Sequence, residues 1–266
     1  MSEPGPDALT LLLRRAPVGH ALWRASEWYV LSRIEMPEPI LDLGCGDGLL
    51  ASVLMSGQVL AGVDLRLGEL LQARRTGSHR LLLNGDATSL AIRSGAFGTV
   101  LSNCVMEHIP RLHSALSEVT RVLRPGGKFV FTAPSEKFNE LLFYPRVMRR
   151  FRLYGLARAY ENMVNRTFRH YHLFSPEEWI GHLRAAGMHV EETRYFLPPE
   201  TMRLWDLFLP ISVPAKVSKM LFGRWTIGTR QLVTAVWHKR LTRLMTAPCN
   251  SGGGLVIQAR KPDSGA

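Results

Sequence analysis

Short apolar runs alternate with segments of helical periodicity along the first half of this 266-residue chain. Four such runs begin at Ile40, Leu60, Leu81 and Phe97, and each one ends in glycine or in a polar residue. Continuous apolar runs of this length, separated by helical segments, are typical of buried parallel strands joined by helical crossovers. The pattern therefore predicts an α/β fold. In such a fold the polar residues that end the strands collect at the carboxyl edge of the sheet, where ligands bind.

The first apolar run leads into a loop with three alternating glycines. Asp42 lies inside the run, and Gly44, Cys45, Gly46 and Gly48 follow before a helix begins. Glycine permits positive φ and lets the backbone approach a ligand closely, so the loop predicts a nucleotide-like ligand. A Gly-x-Gly-x-Gly loop after a strand also occurs in dinucleotide-binding folds and in ordinary tight turns. The loop alone therefore leaves the ligand open.

The next strand ends narrow the choice of ligand. Asp64 ends the second run about twenty residues after the glycines, where a carboxylate can accept hydrogen bonds from two ribose hydroxyls. Asp86 follows the third run and suits an adenine amino group, and the fourth run ends at Asn103 in a polar turn. The alternative is that Asp64 and Asp86 are ordinary loop acids that cap helices.

Together these strand ends resemble the class I S-adenosylmethionine-dependent methyltransferases, in particular the branch that methylates small molecules and lipids. The resemblance covers residues 40–133 and includes Leu123-Arg124-Pro125-Gly126-Gly127-Lys128, which is similar to that family's turn into its fifth strand. It implies S-adenosylmethionine as cofactor, with the methionine part, the ribose, the adenine and the sulfonium held in turn. The implied cofactor-binding residues are Asp42, Gly44, Cys45, Gly46, Gly48, Asp64, Leu65, Asp86, Ala87 and Asn103.

The resemblance also implies the architecture. We expect one methyltransferase domain over residues 1–266, built on a Rossmann-like, doubly wound sheet of seven strands with the last strand antiparallel. Residues 35–134 would form the cofactor-binding core. A helical cap (7–34), an acceptor lid (135–170) and a basic amphipathic insertion (197–253) would be added to it. Residues 188–196 and 254–260 are predicted as the last two strands.

Two local signals add detail to this outline. Ser175-Pro176-Glu177-Glu178 predicts a helix start with a capping box, and Gly187 closes that helix. In the cap, Trp23, Trp28 and Tyr29 either lie over the cofactor or belong to the core, and the core is the more usual place for such residues.

The charge of the chain is uneven. The net charge is +11, and residues 134–266 hold 20 Lys and Arg against 10 Asp and Glu, whereas residues 1–133 are nearly balanced. Two blocks dominate, at 137–169 and at 203–243, and the first contains the cluster Arg146, Arg149, Arg150 and Arg152. Such a surface attracts nucleic acid, an anionic membrane or an acidic substrate, and composition does not choose among them.

Residues 197–253 are the main departure from the family pattern, which usually has a short connection between its last two strands. Within them, residues 203–243 hold eight Lys and Arg against one acid, together with Trp205, Trp225 and Trp237. Val233, Trp237, Leu241 and Leu244 form an apolar stripe beside the basic residues Lys239, Arg240 and Arg243. Packing of this stripe on the core or in a homodimer is the first interpretation. The second is contact with an anionic membrane on its cytoplasmic face.

The remaining composition predicts a cytoplasmic protein without a resident metal. Cys45, Cys104 and Cys249 lack metal-ligand spacing and suit a reducing compartment. The N-terminal apolar run is short and is followed by arginines, unlike a signal peptide. No apolar stretch reaches the about twenty residues that span a bilayer.

Methyl transfer asks little acid–base chemistry of a protein, because the sulfonium methyl is already a strong electrophile. If a general base is used, His108 is the first candidate, since it follows the fourth strand at the ligand-binding edge. The alternative is a helix-start histidine bonded to the backbone. His170 and His172 are further candidates, and as a pair they resemble metal ligands but lack a third.

Three functions remain open at this point. The favoured one is methylation of a small-molecule or lipid-like acceptor, whose identity the residues do not reveal. The second is RNA methylation, which the charge favours; however, the chain lacks an Asn/Asp-Pro-Pro-aromatic motif after the fourth strand and any appended RNA module. The third is a binding or membrane-scaffolding protein without catalysis, against which the acids at Asp64 and Asp86 argue.

Overall fold

This computed structural model describes residues 10–12, 17–55, 60–210, 241–247 and 249–263, and it contains a seven-stranded sheet. The strand order is β3-β2-β1-β4-β5-β7-β6, and the last strand runs antiparallel, as the sequence predicts. The strands are β1 Ile40–Leu43, β2 Leu60–Asp64, β3 Leu81–Asn84, β4 Phe97–Asn103, β5 Leu123–Pro134, β6 His189–Phe196 and β7 Gly254–Arg260.

Strand β1 lies in the middle of the parallel part of the sheet. All four of its residues are buried, and Asp42 pairs in register with Gly62 of β2 and with Leu101 of β4. A strand covered on both faces needs a continuous apolar run, which explains the unbroken pattern seen in the sequence. The register brings the carboxyl ends of β1, β2 and β4 to one edge.

Strand β5 begins earlier than its turn-like sequence suggests. Phe97 pairs with Leu123 and Thr99 with Lys128, so the four residues 124–127 bulge out between two adjacent pairings. Gly126 has a φ of 68° in this bulge. The segment predicted as a turn into the fifth strand is therefore a bulged part of the strand itself.

Helices precede the first strand and connect most of the later strands along the chain. A 3-10 turn at Met106–His108 precedes the helix that begins at Leu112. The capping box at Ser175 is confirmed, because Ser175 Oγ accepts from the Glu178 N–H and Glu178 Oε2 accepts from the Ser175 N–H. The helices are α1 Val18–Leu31, α2 Leu49–Leu54, α3 Leu67–Thr76, α4 Leu112–Val122, α5 Phe143–Arg150, α6 Tyr154–Phe168, α7 Pro176–Ala185 and α8 Pro199–Leu207.

The chain divides into two compact units. Residues 34–136, 169–194 and 255–266 form a sheet unit, and residues 1–33, 137–168 and 195–254 form a helical unit. The described parts of the three segments predicted as cap, lid and basic insertion thus fall almost wholly in one unit, although they are far apart in sequence. The assignment of cap and lid functions to them stays a prediction.

The helical unit has an aromatic core of its own. The Trp23 ring lies 6.0 Å from Phe138, 6.3 Å from Phe196 and 5.6 Å from Trp205, measured between ring centroids. Trp23 Nε1 donates to Glu27 at 2.7 Å, so the polar atom of the indole is satisfied inside the unit. Core packing is therefore the interpretation that fits Trp23.

The described part of the basic insertion also packs inward. Trp205 is 5% exposed and Leu241 is 1% exposed. Thr201 Oγ1 donates to the carbonyl of Leu244 at 3.1 Å, which joins α8 to residues 241–246. Trp205 therefore cannot reach a membrane from this position. Val233 and Trp237 of the predicted stripe, Lys239 and Arg240 of its basic edge, and Trp225 lie outside the described residues.

A buried carboxylate organises the start of α5. Asp206 is fully buried, and it accepts the Tyr144 N–H at 3.0 Å and the Tyr160 hydroxyl at 2.6 Å. Burial raises the pKa of Asp206, and these hydrogen bonds oppose the rise. Burial and the neighbouring carboxylate raise the pKa of Tyr160. The residue that is the only acid of the 203–243 block thus joins three helices of the helical unit.

A histidine cluster in the sheet unit is expected to make the stability of the protein dependent on pH. The His182 ring packs on Phe174 at 4.8 Å and on His113 at 5.1 Å. Burial lowers the pKa of His182, and His113 and His172 lower it further. Between the lowered and the ordinary pKa the unfolded chain binds more protons, so acidification destabilises the folded state.

We expect the free energy of unfolding to fall between about pH 7 and about pH 5, and a His182→Gln variant to lose less over that interval. Denaturant titration at both pH values measures the difference. The matched control is His189→Gln, because His189 is exposed at the start of β6. Equal losses in the wild type and in His182→Gln would contradict the assignment.

Candidate functional site

The glycine loop at the end of β1 is held by the neighbouring strand. The N–H groups of Gly44 and Cys45 both donate to the Val63 carbonyl, at 2.7 and 3.0 Å. The φ angles of Gly44, Gly46 and Gly48 are 78°, 54° and 71°. A Cβ at Gly44 would overlap the Val105 side chain, whereas a Cβ at Gly46 would meet nothing within 4 Å. Gly44 therefore lies against the protein, and Gly46 faces open space.

Asp64 ties the loop to the end of β2. Its Oδ2 accepts the Gly46 N–H at 2.9 Å and its Oδ1 accepts the Arg66 N–H at 2.8 Å, while the residue is only 8% exposed. The Arg66 guanidinium lies 3.8 Å from the same carboxylate. A carboxylate has about four lone-pair positions, so two backbone donors do not exhaust its capacity. Leu65, next in the chain, is 70% exposed beside this carboxylate.

Asp42 is engaged by a residue that the sequence interpretation missed. Its Oδ2 lies 2.9 Å from Nε2 of His79, whose side chain is fully buried. His79 Nδ1 lies 3.0 Å from Ser78 Oγ, which in turn lies 2.7 Å from Thr76 Oγ1. This hydrogen-bonded chain connects β1 to the end of α3. The only signal in the sequence was that Ser78 and His79 stand just before the apolar run at Leu81, and polar residues at such a position are common in loops.

The surroundings of Cys45 favour its protonated form. Burial raises the pKa of the thiol, and the carboxylates of Asp42 and Asp64 raise it further. A thiolate is the reactive form of cysteine, so a raised pKa disfavours a role of Cys45 as a nucleophile.

Asp86 caps the turn that follows β3. Its Oδ1 accepts both the N–H and the hydroxyl of Thr88 at 2.8 Å, and its Oδ2 lies 3.4 Å from the Arg111 guanidinium. The hydrogen bond from the Thr88 N–H, the hydroxyl and the Arg111 charge lower the pKa of Asp86. The carboxylate is thus an ionised acceptor whose side chain is 46% exposed. Ala87 follows it within the same turn.

Asn103 at the end of β4 is held by β5. Thr132 is fully buried, and its hydroxyl donates to Asn103 Oδ1 at 2.8 Å. The next residue, Cys104, has a φ of 51° and donates its N–H to the Thr132 carbonyl at 3.0 Å. The left-handed residue turns the chain sharply at the strand end. Thr132 was missed, although a polar residue inside an apolar strand signals a buried partner.

His108 lies in the 3-10 turn that follows β4, and a backbone carbonyl orients its ring. Its Nδ1 lies 3.1 Å from the Arg169 carbonyl, its Nε2 lies 3.6 Å from Glu107, and its side chain is 36% exposed. The His170 ring stacks on it with the centroids 5.8 Å apart. The structure thus brings the first two base candidates together.

His172 is placed differently. Its Nε2 lies 3.0 Å from the Ile109 carbonyl, and its ring stacks on Phe174 at 4.9 Å. The ring is therefore a structural partner of the aromatic and histidine cluster around α7. Among the residues that the structure describes, no three His, Cys, Asp or Glu side chains come together as metal ligands would.

The part of the chain that forms the carboxyl edge of the sheet is similar to known proteins. Residues 41–131 match the family described as "Methyltransferase domain". The malonyl-[acyl-carrier protein] O-methyltransferase of Salmonella typhimurium is 31% identical over 168 residues, which cover 62% of this chain and 58% of that protein. The ubiquinone biosynthesis O-methyltransferase of Vibrio atlanticus is 29% identical over 123 residues, covering 43% and 52%.

The chain thus spans less than two thirds of these two relatives. Among solved structures, a methyltransferase of Thermotoga maritima superposes with a TM-score of 0.57 at 19% identity, over 92% of this chain and 91% of that one, which shows the fold. The glycine loop, Asp64, Asp86 and Asn103 all lie within the family match. Residues 41–131 thus belong to a class I S-adenosylmethionine-dependent methyltransferase domain, a type of domain whose cofactor is S-adenosylmethionine.

Proposed function

We propose that this protein transfers the methyl group of S-adenosylmethionine to a small-molecule or lipid-like acceptor. The observation that carries the proposal is the junction between Asp64 and the glycine loop, where one buried carboxylate accepts the Gly46 N–H. This contact fixes the loop next to the Asp64 carboxylate, which can accept hydrogen bonds from two ribose hydroxyls. The family match over the same residues supports it.

The residues of the edge fit the cofactor in chemical type. Gly46 faces open space, so the backbone there can approach the methionine part closely. Asp64 would accept the ribose hydroxyls, and exposed Leu65 offers an apolar contact beside them. Asp86 is ionised at neutral pH and would accept the adenine amino group. Asn103, fixed by Thr132, would lie beside the sulfonium.

The bound cofactor supplies an electrophilic methyl group, so the chain's own residues chiefly align the acceptor and exclude water. His108 is the candidate for removing a proton from the acceptor. The Arg169 carbonyl at its Nδ1 favours the tautomer with the proton on that nitrogen, which leaves Nε2 as the basic atom. His170, stacked on the ring, would limit its rotation. In this proposal His172 orients the loop and takes no proton.

The acceptor class is inferred from the relatives and from the charge. The two relatives are named for malonyl-[acyl-carrier protein] and for ubiquinone biosynthesis, and neither name refers to nucleic acid. Residues 134–266 hold 20 Lys and Arg against 10 Asp and Glu, which favours an anionic acceptor. RNA methylation is the second candidate, because the same charge would serve it. A homodimer remains compatible with the proposal.

Incubation with methyl-labelled S-adenosylmethionine tests the function directly. Mass spectrometry of lipid and metabolite extracts is expected to show label in an organic-soluble product that resists ribonuclease. Label that is lost on ribonuclease treatment would support the RNA candidate instead. Tight cofactor binding without transfer to any extract would support the non-catalytic alternative.

We expect His108→Ala to lower kcat at least about tenfold while leaving the affinity for S-adenosylmethionine unchanged. Single-turnover transfer and calorimetry separate the two effects. His172→Ala is the contrasting variant, because the His172 ring packs on Phe174. Loss of that packing is expected to lower the free energy of unfolding and to leave kcat nearly unchanged. An unchanged kcat in folded His108→Ala would show that no base acts at this position.

A further inference from the structure

The end of α5, the connection to α6 and the start of α6 are rich both in arginine and in exposed apolar residues. Residues 146–158, here called the hairpin tip, contain five arginines and no acidic residue. Every residue from 149 to 156 is exposed. Large apolar side chains on the tip are unusually open to solvent: Phe151 is 69% exposed, Tyr154 63%, Leu156 58% and Leu153 47%. Contiguous exposed apolar residues mark an interaction surface.

The tip has a defined backbone. At the end of α5 the Leu153 N–H donates to the Met148 carbonyl at 2.9 Å, and the Arg152 N–H donates to the Arg149 carbonyl at 3.0 Å. This is a Schellman motif with Arg152 at the left-handed position, where φ is 60°. Glycine usually occupies that position. The motif holds Phe151 and Leu153 in the exposed turn.

One arginine of the tip joins the two helices, and the other four are not part of that contact. Arg149 forms a 2.5 Å ion pair with Glu161 of α6, which ties the two helices together. Arg146, Arg150, Arg152 and Arg158 are not part of that ion pair, and they are interspersed with the exposed apolar residues along the chain. Such a combination of a positive rim and protruding aromatic residues is complementary to an anionic lipid surface.

We propose that the hairpin tip docks this protein on anionic membranes, with Phe151, Tyr154 and Leu156 entering the interface and the arginines contacting lipid phosphates. A bilayer can take up a protruding turn without a matching groove. A protein partner would instead need a cavity that fits the four exposed apolar side chains and the arginines among them. Trp205 is buried, so it is not part of this surface. The inference goes beyond methyl transfer, and its test needs neither cofactor nor acceptor.

Vesicle sedimentation of the full chain tests the proposal. Vesicles of phosphatidylcholine with increasing phosphatidylglycerol are expected to bind increasing amounts of protein, and salt is expected to weaken the binding. The variant Phe151→Ser with Leu156→Ser should bind roughly tenfold or more weakly. The variant Arg146→Gln with Arg150→Gln should weaken binding to a similar degree and should reduce its salt dependence.

The matched control lies on α3. Leu71 is 54% exposed, and Arg74 and Arg75 are exposed near it. Leu71→Ser with Arg74→Gln and Arg75→Gln removes the same kinds of side chain and is expected to bind like the wild type. Three outcomes would overturn the proposal: no binding to anionic vesicles at low salt, equal binding by the tip variants, or an equal loss in the α3 control. Circular dichroism of each variant verifies that it is folded.

Discussion

Replacing Asp64 with alanine is expected to lower the affinity for S-adenosylmethionine at least about tenfold and to destabilise the fold. The substitution leaves the N–H groups of Gly46 and Arg66 without their carboxylate acceptors in a site that is only 8% exposed. Hydrogen bonds to a charged group contribute about 1.5–3 kcal/mol, and two cofactor hydroxyls would lose theirs as well. Because Asp64 holds the loop as well as the proposed ribose, affinity and stability should fall together.

Calorimetry and denaturant unfolding measure the two losses. Asp64→Asn retains one acceptor oxygen and the shape of the side chain, so it should lie between the wild type and alanine in both measurements. Glu69→Ala is the matched control, because Glu69 is a nearby acid in the first turn of α3, 3.5 Å from Arg66. A folded Asp64→Ala protein with wild-type affinity would show that the ribose is held elsewhere.

Alanine at Gly44 is expected to be still more damaging than alanine at Asp64. Gly44 has a φ of 78°, and an added Cβ overlaps the Val105 side chain. A left-handed conformation costs a non-glycine residue about 1–2 kcal/mol, and overpacking costs about 1–3 kcal/mol. The loop would have to move away from the Val63 carbonyl that holds it, so cofactor binding should be lost as well.

A double-mutant cycle separates these two causes. Val105→Ala removes the atoms that collide, so Gly44→Ala with Val105→Ala should recover stability relative to Gly44→Ala alone. The part that is not recovered reports the backbone cost. Gly155→Ala is a matched control, because Gly155 is exposed and a Cβ there meets nothing within 4 Å. If Val105→Ala recovers no stability, the collision is not the cause.

Local patterns of residues predicted the sheet well. Strand β7 occupies residues 254–260 as predicted, and the capping box at Ser175 starts α7 as predicted. Such features depend on residues a few positions apart, and their physical cause is visible in the sequence. The bulged start of β5 was not predicted, because a bulge depends on the register of pairing with β4.

The site was predicted less completely than the sheet. Motif spacing marked Asp42, Asp64 and Asn103, yet the partners that orient two of them, His79 and Thr132, come from distant parts of the chain. A polar residue inside an apolar strand signals that Thr132 has a buried partner, but nothing near His79 or Thr132 in the sequence shows which residue that partner is. The roles given to the marked residues stay predictions that the binding experiments test.

Burial distinguishes between the two interpretations that the sequence left open for Trp205. This residue lies in the basic block 203–243, whose composition suits either packing on the core or contact with an anionic membrane. In the fold its ring packs against Trp23 and Phe138, which come from other parts of the chain. Amphipathic patterns show that a residue has an apolar partner, but they do not show which partner.

The three-segment origin of the helical unit constrains engineering of this protein. Trp23, Phe138 and Trp205 come from residues 1–33, 137–168 and 195–254, and each ring contacts the other two. A chimera that imports only one segment from a relative would join foreign side chains to two native aromatic rings and leave packing defects between them. Exchange of the unit between relatives should therefore succeed when all three segments travel together, and fail by aggregation when one is moved alone.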